Sequence, residues 1–361
     1  MTPPNNNHRP VQARIDLAAL QHNLQVVRNL SASPVMAIIK ADGYGHGMEQ
    51  VADALSGADQ FGVSGLDDAR RLRGHGVSLP LTLLSANFDR AGLDELQQLE
   101  ARPVIYDAAH LPLLNDWSPT KPLNVWLKLD AGMGRLGFLP QAVTGVARRL
   151  ADMSGIGSVS LMAHFANADH PRHPGTALQL ELFEQLAGEF DYAELSVANS
   201  GAVVTGIGLD HTVRPGIMLY GISPLIEASA AELNLRAAMT FSSQLISVRS
   251  LSSGTAVGYG GTHVLARESR IGIVACGYGD GYPRHAISGT PVLVNGEIAP
   301  LIGRVSMDML AVDLGDQPAE VGDKVVLWGP DNPVEKIAEC ASTIAYELVC
   351  GVTNRVPRTY Q

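Results

Sequence analysis

"PVMAIIKADGYGHG", residues 34–47, decides how this chain is read. A short, continuous apolar run opened by a proline and closed by a glycine-rich turn reads as a buried strand. The run ends in Lys40, and a lysine there is ordinarily a snorkelling side chain with its ammonium in water. Gly43, Gly45 and Gly47 follow at once. They let the backbone take positive φ and come close to a ligand or a neighbouring element.

Outward from this stretch, strand-like apolar runs alternate with helix-like segments through two thirds of the chain. The strands are expected at Val35–Lys40, Phe61–Ser64, Leu79–Ser85, Pro103–Tyr106, Leu123–Leu129, Val159–His164, Leu195–Ala198 and Thr212–Leu219. Segments such as "GMEQVADALSGA", "LDDARRLRGHG" and "GTALQLELFEQLAGEF" lie between them. That alternation predicts an α/β fold with a (β/α)8 TIM-type barrel. A doubly wound open sheet normally has fewer strands and often a GxGxxG turn, which is missing here. After about residue 238 the rhythm changes to strands joined by Gly, Ser, Asn and Asp turns, with one late helix near Pro333–Val349. The expected organisation is therefore a flexible arm over 1–10, a barrel over 11–237 and a mostly-β domain over 238–361.

Composition bounds the function. The chain has 361 residues, enough for two cores, a net charge of −10 and no basic cluster, which argues against nucleic acid and anionic lipid as partners. No apolar run is long enough to span a membrane. The polar start "MTPPNNNHRP" lacks the apolar centre of a secretory signal. Three cysteines, Cys276, Cys340 and Cys350, have no metal-ligand spacing, and their odd number fits a reducing compartment, hence the cytoplasm.

In a barrel of this kind catalytic groups sit at the carboxyl ends of the strands and in the loops that follow. Lys40, Lys128 and His164 fall at or near such ends, Arg135 lies in the loop "DAGMGRLG", Asn199 and Ser200 follow the seventh strand, and Arg214 and Gly216 lie in "VRPGIMLYG". Each alone has a plain structural explanation, such as a satisfied core histidine or a surface arginine. Their collection at one barrel mouth points to a site. Ser200 and the "RPGI" turn occupy the place where barrels commonly bind phosphate on backbone N–H groups. A phosphorylated cofactor beside a strand-end lysine suggests pyridoxal 5'-phosphate, which is held by a lysine and carries a phosphate.

From about Val11 to Arg358 the chain resembles the alanine racemase family, through "VMAIIKADGYGHG", "KLDAGMGRLGF", "AHFANAD", "ANSGA", "RPGIMLYG", "VGYGGTH", "GYGDGYPR" and "GRVSMDM". The resemblance implies a pyridoxal-phosphate enzyme that interconverts L- and D-alanine. It implies a homodimer whose active sites are shared between subunits, serving D-alanine synthesis for peptidoglycan or alanine catabolism. Lys40 would carry the cofactor and act as one of two acid/base groups, and Tyr259, supplied by the second subunit, would be the other. Arg214 would face the pyridine nitrogen with His164 beside it. Tyr44, Ser200, Gly216 and Ile217 would hold the phosphate, with Asn199 adjacent. Arg135, Met307 and Asp308 would meet the substrate, and Tyr278, Arg284, Arg304 and Asn354 would line the entrance. Lys128 matches a lysine that is carbamylated in many members. No metal is implied.

Inverting an α-carbon needs proton removal on one face and return on the other. Lysine and tyrosine, with ordinary pKa values of about 10.4 and about 10, are poor bases near neutrality unless a cationic, desolvated setting lowers those values. One departure is visible: many members read Tyr-Arg-Val-Pro where this chain has "NRVP", so Asn354 replaces a tyrosine that narrows the entrance. A broad-specificity or serine-preferring racemase is therefore an alternative. Tyr259 in "VGYGGTH" and the "GRVSMDM" stretch speak against a decarboxylase of the same architecture, and the β domain speaks against a cofactor-storage protein, which lacks it.

Overall fold

The computed structural model describes residues 9–361. By contact the chain divides into two units. One comprises Leu20–Gly43 and Met48–Leu235; the other comprises the segment ending at Ala19, Tyr44–Gly47 and Arg236–Gln361. Of the arm expected over residues 1–10, residues 1–8 lie outside the described residues, and Arg9 is ion-paired to Asp280 at 2.8 Å.

Strand β1 (Gln12–Ile15) buries Ala13 and Ile15 and exposes Gln12 and Arg14, the period-two pattern of a half-buried strand. Seven parallel strands follow: β2 (Met36–Ile38), β3 (Gln60–Val63), β4 (Leu81–Leu83), β5 (Ala101–Ile105), β6 (Leu123–Lys128), β7 (Ile156–Met162) and β8 (Leu195–Ser196), each hydrogen-bonded to the next in sequence order. They read as continuous apolar runs because helices cover them and leave no wet face. The barrel closes without an eighth full strand. Val35 bridges Val213 and Asn199 bridges Arg214, with Met36 N–H donating to Val213 O at 2.9 Å and Arg214 N–H to Ala198 O at 2.8 Å. The strand expected over Thr212–Leu219 is thus limited to this closure. Ile38 N–H still donates to Pro215 O at 3.0 Å, but Pro215 has no N–H to donate in return, and the chain turns into a 3₁₀ turn, Ile217–Tyr220. At the amino-terminal end of the strands, Glu194 accepts from Arg102 at 2.6 Å and from Gln60 at 3.0 Å, tying the starts of β3, β5 and β8. Polar groups at that end of a barrel serve stability.

In the second unit β9 (Met239–Leu251), β12 (Ser269–Val274), β13 (Pro291–Val294), β14 (Glu297–Ile302), β15 (Leu310–Asp313) and β16 (Lys324–Trp328) form a sheet in the order β12-β15-β14-β13-β16-β9. It closes on itself because the long β9 pairs with β16 along one stretch and with β12 along another. The short β10 (Ala256–Val257) and β11 (His263–Val264) form a separate hairpin. Strand β1 joins β9 antiparallel and β17 (Arg358–Tyr360) parallel, so Gln12–Ile15 sits in this sheet although its residues fall in the span expected for the barrel. Phe241, Tyr282 and Trp328 are fully buried and in ring contact, at 4.5 Å for Phe241–Trp328. The late helix expected as one piece is two, Val334–Cys340 and Ala345–Cys350, broken where Ser342 takes φ +52°. Among the described residues no helix is long and apolar enough to cross a membrane.

Gly45, at φ +79°, packs so closely that an added Cβ would stand 2.0 Å from Val349 O. Gly45→Ala is expected to lower stability by at least the ~1–3 kcal/mol of an overpacked site. A urea midpoint unchanged from the parent would contradict that contact.

Candidate active site

Strand β2 ends at Ile38, two residues before the expected strand end, and Lys40 opens a turn of unusual hand. Ala41, Asp42, Gly43 and Tyr44 take φ of +53°, +55°, +62° and +52°, and Gly43 N–H donates to Ile39 O at 2.9 Å. Left-handed backbone costs an L-residue roughly 1–2 kcal/mol, so this strain persists only where neighbours hold it. Asp42 supplies that hold. It accepts from Met48 N–H at 3.3 Å and from Arg71 at 2.9 Å, and Arg71 also grips both oxygens of Glu49. The glycines take the positive φ that the sequence suggests; the same conformation at Ala41, Asp42 and Tyr44 has no sequence signal.

Lys40, Arg135 and Arg214 act on both Lys128 and His164 near the carboxyl ends of the barrel strands. Lys128 closes β6, and His164 follows β7 by two residues. Desolvation pushes the Lys128 ammonium well below its usual range, and the charges of Arg214, Arg135 and Lys40 push it further the same way, with Asp130 opposing. His164 is held well below the imidazole range by desolvation first and then by Arg214, Lys128, Arg135 and Lys40. Its Nδ1 lies 3.5 Å from Arg214 Nη2. Arg214 is buried, and its Nη atoms donate to Ser196 Oγ and Ala163 O, each at 2.5 Å. Burial lowers its pKa to about 10, which leaves it cationic at neutrality. Among the described residues no carboxylate pairs with it. Arg135 is exposed in a loop shaped by Asp130, whose Oδ1 accepts from the N–H groups of Gly132, Met133 and Gly134 at 2.9–3.0 Å.

The depressed His164 pKa has a pH consequence. Below about 6.5 the unfolded chain takes up a proton there that the folded chain does not, so this group makes stability fall as pH drops from 6.5 toward the folded value, by at most about 1.4 kcal/mol per pH unit. Urea melts of the cofactor-free protein at pH 5.5 and 7 should show a shallower loss for His164→Gln than for the parent; equal losses would contradict this assignment.

Asn199 caps the short helix Ser200–Thr205 by accepting from Ala202 N–H at 3.1 Å. Ser200 is buried and its hydroxyl accepts from Gly216 N–H at 2.8 Å, which leaves its own proton to donate. Ile217 is buried beside it in sequence. Lys40, Lys128, Arg135, His164, Asn199, Ser200, Arg214, Gly216 and Ile217 all belong to the barrel unit. Tyr44 does not: it is buried in the other unit, 6.1 Å from Tyr346 between ring centroids, and burial raises its phenol pKa well above the usual value.

The β unit carries the remaining expected residues. Tyr259 stands 68% exposed in a 3₁₀ turn between Gly258 and Gly260, both at positive φ. Met307 is 53% exposed, Tyr278 is 38% exposed, and Arg284, Arg304 and Asn354 are exposed. Asp308 is paired with Arg355, whose hydrogen bond holds the carboxyl below its ordinary range. Arg9, Arg71, Asp280 and Arg355 escaped the sequence reading, although Asp280 lies in "GYGDGYPR". An isolated charge carries no signal of its partner when that partner is remote in sequence.

Two family models match the chain, "Alanine racemase, N-terminal domain" over residues 15–224 and "Alanine racemase, C-terminal domain" over 238–360. An alanine racemase of Nitrosococcus oceani is 48% identical over 97% of this chain and 99% of its own. A biosynthetic alanine racemase of Pseudomonas aeruginosa is 46% identical over 98% of this chain and 99% of its own. The crystal structure of a biosynthetic alanine racemase from Pseudomonas aeruginosa superimposes with a TM-score of 0.95, covering 98% of this chain and 99% of that one at 46% identity.

Proposed function

The chain belongs to the alanine racemase family, amino-acid racemases of the isomerase class, and on that premise we propose that it interconverts L- and D-alanine with pyridoxal 5'-phosphate and two bases, Lys40 and Tyr259. The observation that carries this reading is the buried Arg214, fixed by Ser196 and Ala163 and 3.5 Å from His164 Nδ1, with Lys40, Lys128 and Arg135 near enough to act on that histidine. Such a cluster calls for anions, and a phosphorylated cofactor with an amino-acid carboxylate supplies them.

The residues fit the cofactor. Ser200, its oxygen held by Gly216 N–H, offers its hydroxyl proton to a phosphate, with the Gly216–Ile217 backbone beside it; Tyr44 is the further candidate. Arg214, fixed by Ser196 and Ala163, can donate to the pyridine nitrogen but not protonate it, which favours racemisation over transamination and decarboxylation. When bound, the cofactor supplies the electron sink that acidifies the α-hydrogen of the amino acid. Lys40 moves a proton at Cα on one face and Tyr259 on the other, while Arg135, Met307 and Asp308 orient the substrate. A carbamate on Lys128, favoured because desolvation and neighbouring charge hold its ammonium well below its usual range, would turn one cation of the cluster into an anion facing Arg135.

Lys40 belongs to one unit and Asp308 with the exposed Tyr259 and Met307 to the other, which supports a head-to-tail homodimer in which a second copy completes each site. Lys40→Ala and Tyr259→Phe proteins, each nearly inactive, should regain activity when mixed and allowed to exchange subunits. No recovery after proven exchange, or a fully active monomer in sedimentation, would rule the shared site out. The product D-alanine suits cell-wall synthesis, and the Pseudomonas aeruginosa relative is named a biosynthetic alanine racemase. The test of the activity is racemisation of alanine, serine and lysine with and without added cofactor. Exposed Asn354 gives the serine reading its one specific support, and serine turning over faster than alanine would favour it.

A further inference from the structure

The turn after β12 carries a carboxylate that the reaction has not used. Asp280 has no side-chain exposure, yet Arg9 Nη2 lies 2.8 Å and Arg355 Nε 2.7 Å from its oxygens. Its Oδ2 also accepts from Gly277 N–H at 2.9 Å. Both arginines continue to Asp308: Arg355 Nη2 reaches Oδ1 at 2.5 Å, Arg9 Nη1 lies 3.6 Å from it, and Arg9 Nη2 donates to the Asp308 carbonyl at 3.3 Å.

The backbone draws the same segments together. Tyr278 N–H donates to Ser306 O at 3.0 Å and Gly279 N–H to Met307 O at 2.9 Å. Thr353 donates through N–H to Asp280 O at 3.2 Å and through Oγ1 to Gly279 O at 2.9 Å. The approach is close enough that a Cβ on Gly277 would stand 2.2 Å from Ser306 O, so no larger residue fits there. Three segments, those bearing Tyr278, Met307–Asp308 and Asn354, therefore converge on one buried side chain. Two carboxylates and two guanidiniums make the cluster neutral as a whole.

We propose that Asp280 is a positioning residue for the substrate end of the site, acting through Arg355 and Arg9 to hold Asp308 in one place and offset its charge against the carboxylate of the amino acid. The proposal rests on the reading of Met307 and Asp308 as substrate-side residues. A buried carboxylate is retained when its partners are well placed, and neutralising it leaves those partners without an anchor. In Asp280→Asn the arginines lose their fixed point, Asp308 gains freedom, and its negative charge is no longer held away from the substrate. Substrate binding suffers more than proton transfer.

Steady-state kinetics of the holoenzyme in both directions test this, with Asp280→Asn, Arg355→Ala, Asp308→Asn and the Arg355→Ala/Asp308→Asn double variant. Asp280→Asn and Arg355→Ala are expected to raise KM for both enantiomers by about tenfold while kcat changes by less than about threefold. The loss in kcat/KM must be equal for L- and D-alanine, because the two enantiomers have the same free energy. Since Arg355 acts through Asp308, the double variant should be no worse than the poorer single variant within about twofold. Amide exchange at 306–309 in the resting protein should quicken in Arg355→Ala. Should Asp280→Asn fail to fold, Arg355→Ala and Arg9→Ala, at partly exposed positions, carry the same comparison. If Asp308→Asn leaves KM and kcat unaltered, the substrate-side reading falls and the proposal with it. If Asp308→Asn is impaired but the loss from Arg355→Ala multiplies with it, or falls on kcat alone, the positioning role is overturned and the reading of Asp308 stands.

Discussion

Lys40→Ala is expected to abolish covalent attachment of the cofactor and nearly all racemisation. Two functions are lost at once, the side chain that carries the cofactor and one of the two bases, so the fall should exceed the ~10²–10⁴-fold typical of a missing general base. The fold should survive, because Lys40 is only partly buried and backbone bonds and Asp42 secure the turn it opens. Added primary amines should restore part of the activity by supplying a mobile base. Borohydride reduction of the parent holoenzyme followed by peptide mapping checks the attachment directly. A label on any lysine other than Lys40, Lys128 included, would sink the assignment.

Tyr259→Phe is expected to cut racemisation by about 10²–10⁴-fold in both directions while leaving cofactor binding intact. The substitution removes the oxygen that moves the proton and keeps the ring. Both net directions must fall, because each turnover uses both bases. The half-reactions separate them. On the proposed reading Lys40 would be tied to one side of the cofactor and would take the proton from D-alanine, and Tyr259 would take it from L-alanine. Exchange of the α-hydrogen with deuterated water should therefore persist for D-alanine in Tyr259→Phe and drop sharply for L-alanine. Equal losses for both enantiomers, or a loss confined to D-alanine, would reverse or remove the assignment of faces. The large exposure of Tyr259 means that the phenylalanine should cost little stability, so any loss of activity reads as chemistry.

Local pattern in the chain was enough for the alternating barrel and the β module, because a buried parallel strand must be apolar throughout and a half-buried one must alternate. Long motifs also drew attention to Lys40, Arg214 and Tyr259, whose roles remain proposals. The position of Gln12–Ile15 was not legible, since its partners β9 and β17 lie more than two hundred residues away and four alternating residues fit any sheet edge. The truncated eighth strand hinged on Pro215, whose missing N–H matters only where a neighbouring ladder would have needed it. Nor did the sequence show that Ala41, Asp42 and Tyr44 share the left-handed conformation of Gly43; an alanine is tolerated there because Asp42, Arg71 and Met48 hold the turn. Tertiary structure alone decided which charges meet. Lys128 and His164 lose their protons' usual hold because three remote cations and desolvation act on them together. Arg9, Asp280, Asp308 and Arg355 become one neutral cluster only when folding closes loops of up to 299 residues, and charge pairing across such separations leaves no periodic trace in a single sequence.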